Sequence, residues 1–149
     1  MRESPSRMTI TVNVKWVKDK CYLLSAEGKP DIDTAAPSQF GGRDDLWSPL
    51  DLLLASANAC VLSTFVTMAE RMKAKFLQYD GKAAGEVEQV EGALKLTRIT
   101  IQPIITVESE ADVEPVRKAI EAAERYCPVT RSLNVEVKVE PQIKVARLE

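Results

Sequence analysis

The sequence predicts an α+β fold built on antiparallel sheet. Three observations carry that expectation. Strand-type alternation flanks a long segment, Leu50 to Lys73, that contains neither Gly nor Pro. That segment is apolar nearly all round, as a helix buried inside a core or under a partner subunit should be. A second, amphipathic helical pattern follows, and alternation then resumes, giving the order β-β-β-α-β-β-α-β-β.

The opening MRESPSR, residues 1–7, is a polar leader without the apolar core of a signal peptide. Residues 8–149 are expected to form one domain, long enough to bury a sizeable core. In MTITVNVKWV, Ile10, Val12, Val14 and Trp16 share one face and Thr11, Asn13 and Lys15 the other, the pattern of a half-buried strand. KDK turns the chain and CYLLSAEG returns as a second strand, with Cys21 at its start as a structural residue. KPDIDTAAPSQFGGRDDLW, rich in Pro, Gly and Asp, reads as a short strand and a long loop of the kind that often carries function.

Ser48, Pro49 and Asp51 supply the cap, first position and capping acid of the long helix. Its expected apolar stripe is Leu50, Leu54, Val61, Phe65, Met68 and Met72, with Leu52, Leu53 and Leu62 spreading hydrophobicity further. Small residues in ASANAC let something pack closely at its centre. FLQYDGKAAGEVEQV and LKLTRITIQPIITV flank a turn at EGA. In the latter, Pro103 cannot donate to a ladder, which predicts an edge strand or a bulge there. A second helix is expected over Val113–Tyr126, capped by Asp112, with Val113, Val116, Ile120, Ala123 and Cys127 facing inward. Pro128 ends it, and NVEVKVEPQIKVARLE supplies a final strand pair or bent strand.

Composition removes several functions. A net charge of −2 and a pI near 5.4 offer no basic excess for nucleic acid. No unbroken apolar run reaches the roughly 18 residues that suggest a membrane span. A cytoplasmic location is the default, and there the cysteines should be reduced. The absence of histidine excludes imidazole-assisted serine or cysteine hydrolysis and most zinc enzymes. Cys21, Cys60 and Cys127 form no CxxC pair, and no GxGxxG or GxxxxGKS loop is present, so neither a metal nor a cofactor is expected.

Cys60 lies on the smallest and most polar strip of the long helix, with Leu53, Ser56, Ala57, Ser63, Thr64 and Thr67. Cys127 lies on the inner face at the end of the second helix. Two such thiols suit a thiolate that attacks a peroxide and a partner that resolves the sulfenic acid. On pattern alone, packing as two small buried hydrophobes is the more common role for such cysteines.

SPLDLLLASANACVLSTFVTMAERM and AERYCPVTRSL together resemble the two signature segments of the OsmC/Ohr family, the osmotically inducible and organic hydroperoxide resistance proteins. The similarity runs from about Met8 to Val139. It implies sheets wrapped around long central helices in an intertwined homodimer. It also implies thiol-dependent reduction of organic and hydrogen peroxides, with Cys60 as the peroxidatic and Cys127 as the resolving cysteine. An external dithiol, a lipoylated protein in the Ohr branch, would regenerate the pair.

The chain departs from the Ohr pattern at the groups that activate the thiol. Leu50 stands where those relatives keep a glutamate, and the acid comes one residue later as Asp51. The early loop that carries their arginine offers Lys18 and Lys20 instead. Arg43 in GGRDDLW is the candidate replacement, and Asp51 the candidate acid, although its ordinary role is capping. Arg131 is expected at the surface. The alternative reading is a non-catalytic small-molecule binder that has lost the activating Arg/Glu pair.

Overall fold

The computed structural model describes residues 5–147. Within the expected leader, residues 1–4 lie outside the described residues, as do 148 and 149 at the other end. The chain divides into two compact units, one running to Leu52 and one from Leu53.

In the N-terminal unit, β1 (Asn13–Lys18), β2 (Cys21–Ser25) and β3 (Ile32–Ala35) form an antiparallel sheet in that order. Asp19, with φ 48°, turns the first hairpin, and its carbonyl accepts the Trp16 indole N–H at 2.7 Å. β1 is shorter than the alternating stretch predicts. Its ladder begins at Asn13↔Ser25, where the short β2 ends, leaving residues 8–12 without a partner strand. Nor is its apolar face half-buried: Ile10 is 76% exposed, Val12 70%, Val14 67% and Trp16 68%. The alternation is real, but nothing among the described residues covers it.

The segment between β3 and the long helix is an ordered loop. Arg43 N–H donates to Ala36 O at 2.8 Å, Gly42 N–H to Pro37 O at 3.0 Å, and Ser38 N–H to the Asp44 carboxylate at 2.8 Å. Gly42 is required, because a Cβ there would meet the Ala36 carbonyl oxygen at 1.7 Å. Helix α1 (Pro49–Met72) then starts on the expected capping box. Ser48 Oγ accepts the Asp51 N–H at 3.1 Å, and the Asp51 carboxylate accepts the Ser48 N–H at 2.8 Å.

The C-terminal unit contains the rest of α1 and a four-stranded sheet. β4 (Gln78–Val90) and β5 (Ala93–Val107) make a long antiparallel hairpin, turned by Glu91 and Gly92, both at positive φ. β6 (Glu136–Val139) and β7 (Gln142–Val145) do not pair with each other, and of the expected strand pair or bent strand it is the bent strand that forms. Both pair with β5, in parallel. The reason is the helical connection from β5 to β6: α2 (Val113–Tyr126) and the short α3 (Pro128–Arg131) carry the chain back across the sheet, the kind of crossover that joins parallel strands. Pro103 is therefore on a central strand, not an edge. It pairs with Gly81 on one side, and on the other it falls in the gap between the β6 ladder, ending at Ile101, and the β7 ladder, starting at Ile104. The missing N–H costs nothing there.

The core of this unit is one cluster from three elements: Ala57, Val61, Phe65 and Ala69 on α1, Ile99, Ile101, Ile105 and Val107 on β5, and Val116, Ala119, Ile120, Ala123 and Cys127 at α2. The inner line of α1 keeps Val61 and Phe65 of the expected stripe, and Ala57 and Ala69 complete it in place of the leucines and methionines. Leu50 and Met72 are exposed, while Leu54 and Met68 are half-buried. Ala57 thus belongs to the core and not to the strip around Cys60. Phe65 fills the space against Phe76 and Tyr79, at ring separations of 4.9 and 5.4 Å. Asn58 ties α1 to β4 by donating to Gly81 O at 3.1 Å. Taken as a whole, α1 is long and apolar enough to cross a membrane by length and composition. Here its inner line is spent on the protein core.

Asp112 does not cap α2 with its side chain. A 3₁₀ turn, Glu110–Asp112, precedes the helix, and Asp112 closes a capping box on Ser109. The alternation Ile99, Ile101, Pro103, Ile105, Val107 faces inward as predicted, as does the α2 stripe from Val116 to Cys127.

Candidate functional site

Cys127 sits at a junction. Its N–H closes the last turn of α2 on Ala123 O at 3.0 Å, and its own carbonyl accepts the Arg131 N–H at 3.1 Å. Its ψ of 116° leaves the helical region, as the residue before a proline should. Cys127 is thus the last position of α2 and the N-cap of α3, with Pro128 at the first helical position. An N-cap side chain is aimed at the second and third amides of the helix it starts, which here belong to Val129 and Thr130. No cap hydrogen bond closes, but both amides and the Thr130 hydroxyl favour the charged form of the sulfur. The side chain is fully buried.

Cys60 lies midway along α1 and is half-buried. Thr64, one turn later, donates to the Cys60 carbonyl at 2.9 Å and also acts on the thiol. Cys60 packs against the core cluster to which Cys127 belongs, and each thiol shifts the ionisation of the other. The structure therefore brings together the two cysteines that the sequence keeps far apart, both free.

Their environments pull them in opposite directions. Burial pushes the Cys60 thiol up; the Val129 amide and Thr64 offset this in part, while Cys127 adds to the rise. Burial also works against the Cys127 thiolate. There, the Thr130 hydroxyl and amide, the Cys60 thiol and the Val129 amide outweigh it, and Cys127 ends below the ordinary thiol range.

The other candidates lie in the N-terminal unit. Arg43 makes a bidentate pair with Asp45, its side chain half exposed, and its guanidinium is raised chiefly by that hydrogen bond. Asp51 is engaged in the capping box with Ser48. Nine positions along a helix, at about 100° each, turn Asp51 to the side of the cylinder opposite Cys60. Lys20 donates to Phe40 O and Lys18 is exposed. Cys21 is half-buried in β2, in register with Ala35. Arg131 is exposed, as expected. Among the described residues no group of three His, Cys, Asp or Glu is placed to hold a metal ion.

Sequence reasoning did not single out Val129 or Thr130. The signal was there in Cys-Pro-Val-Thr, because a proline at a first helical position marks the residue before it as an N-cap.

Comparison with known proteins bears on the family and the fold. The model for OsmC-like proteins matches residues 42–142. An uncharacterized Bacillus subtilis protein, YmaD, is 25% identical over 114 residues, covering 73% of this chain and 76% of YmaD. Among solved structures, an OsmC-like protein of unknown function from Vibrio cholerae superposes with a TM-score of 0.79 at 16% identity, over 91% of this chain and 99% of that one. An organic hydroperoxide resistance protein from Elizabethkingia anophelis superposes with a TM-score of 0.74 at 20% identity, over 96% and 100%. At these identities the structural likeness concerns the fold.

Proposed function

The chain belongs to the family of OsmC-like proteins, and from that premise we propose that it is a thiol-dependent peroxidase for organic and hydrogen peroxides. One observation carries the reading: a half-buried cysteine on α1 packs against the core cluster that holds a fully buried one at the end of α2. Cys60, the more accessible, attacks the distal peroxide oxygen. The O–O bond breaks, the alkoxide leaves and is protonated to the alcohol, and Cys60 becomes a sulfenic acid. Cys127 attacks that sulfur, a disulfide forms, and water is released. An external dithiol, of the kind carried by a lipoylated protein, reduces the disulfide by exchange.

The same reading takes the working form to be a cytoplasmic homodimer. The exposed apolar line Ile10, Val12, Val14, Trp16 is the face a second copy of the chain would cover. Arg43 and Asp51, if they act, do so on a site completed in that assembly.

The competing reading, a small-molecule binder without catalysis, draws support from the raised Cys60 thiol and from the engagement of Arg43 by Asp45. Counting free thiols and residual peroxide after one equivalent of cumene hydroperoxide, in wild type and Cys60→Ser, separates the two. A peroxidase loses two thiols and the peroxide in the wild type and spares the peroxide in the variant. A binder leaves both proteins reduced and the peroxide intact.

A further inference from the structure

The reaction proposed above occupies the middle of α1 and the end of α2, and leaves the start of α2 without a role. There, α2 and β7 border a groove of about 850 Å³, within the range of about 300–1,000 Å³ usual for ligand sites. It lies wholly within the unit from Leu53 onward. Val113, Ile143 and Val145 give it an apolar lining, and Lys144 and Arg147 supply cations. Glu110 is the one acid among the described residues that line it. Lys144 and Arg147 take part in no ion pair among the described residues.

One wall of the groove is a free sheet edge. The Ala146 N–H donates to Val107 O at 2.8 Å, so the even-numbered residues here turn their backbone toward β5. Ile143 and Val145 therefore turn theirs to the other side, where no strand lies among the described residues. Burial alternates in step: Gln142 and Lys144 are exposed, while Ile143 and Val145 are half-buried against the core. A strand added at this edge repeats that alternation, with one set of side chains over the apolar lining and the other beside Lys144. The β6 half of the same edge differs. Its groove holds about 300 Å³, and there Glu124 balances Arg131.

We propose that the β7 edge takes an extended segment of another protein in which apolar and acidic residues alternate, added as a further strand of the sheet. Main-chain hydrogen bonds to Ile143 and Val145 hold the segment. Its apolar side chains fill the groove over Val113, and its carboxylates face Lys144, with Arg147 the second cation at the end of the strand. The excess of positive charge selects acidic over basic segments. The site is separate from the thiols and stands whether or not the chain reduces peroxides.

The test uses the full ¹⁵N-labelled chain and two acetylated, amidated peptides, Glu-Val-Glu-Val-Glu-Val and Lys-Val-Lys-Val-Lys-Val. NMR titration reads affinity, and amide exchange reads the edge. The acidic peptide should shift the Ile143 and Val145 amides and slow their exchange, leaving the Val137 amide of β6 unchanged. At low salt it should bind about tenfold more tightly than the basic peptide, the worth of a few exposed charge pairs. Lys144→Glu combined with Arg147→Glu should reverse that preference without changing helix content. The acidic peptide N-methylated throughout, which cannot donate main-chain hydrogen bonds, should not bind. If the Ile143 and Val145 amides neither shift nor gain protection, or if both peptides bind equally, the proposal is overturned. Protection of the same amides without peptide, growing with protein concentration, would give the edge to a second copy and overturn it as well.

Discussion

The unit from Leu53 onward encloses its own core: a helix line of small residues, one face of β5 and one face of α2 close on each other around Phe65. The unit up to Leu52 does not. Its strands alternate as cleanly, yet Ile10, Val12, Val14 and Trp16 stand exposed, and among its described residues Thr34, Ala35 and Ser48 are the buried ones. Alternation along a strand states that one face is to be covered, not which chain supplies the cover. The C-terminal unit folds onto itself, whereas the N-terminal unit presents an apolar edge.

The sharpest test of that contrast is Phe65→Ala. It should cost about 3–5 kcal/mol in urea unfolding, because the alanines around it cannot collapse into the space. A loss below about 1 kcal/mol would mean that this core is not closed. Next, Tyr79→Phe should stabilise by about 1 kcal/mol, since the Tyr79 hydroxyl is buried without a partner. Burial also pushes the Tyr79 hydroxyl up to about 12. The unfolded chain ionises this group near pH 10, so wild-type stability should fall as pH rises from about 10 toward 12. Tyr79→Phe should lack that decline, and equal pH profiles would contradict the burial. In the N-terminal unit, Ser48→Ala should cost about 1 kcal/mol through loss of the reciprocal cap with Asp51. The smallest effect on the fold is expected for Trp16→Lys, because an exposed side chain contributes within about 0.5 kcal/mol. The same change should convert a sedimenting dimer to monomer with unaltered helix content. A variant that still dimerises would show that another surface joins the copies.

The contrast also explains what was legible in the sequence. The α2 stripe and the inward residues of β5 were readable because their cover lies in the same chain, so periodicity and burial coincide. The centre of the α1 stripe, Val61 and Phe65, was readable, but its ends were misread toward Leu50 and Met72, because a helix apolar all round gives no unique inward face. The parallel placement of β6 and β7 was hidden, since pairing direction follows from the crossover and not from the strands' own residues. Cys60 and Cys127 were expected as a pair from their motifs. What surrounds them at Val129 and Thr130 was not legible, because it includes backbone amides, which a side-chain pattern does not display.

The central claim is that Cys60 and Cys127 are one redox unit. Its most direct test is a non-reducing peptide map after one equivalent of cumene hydroperoxide added to the reduced chain. The account predicts a single new linkage joining the Cys60 and Cys127 peptides, with Cys21 still free. Peroxide-treated protein with all three cysteines reduced, or a disulfide that includes Cys21, would contradict it.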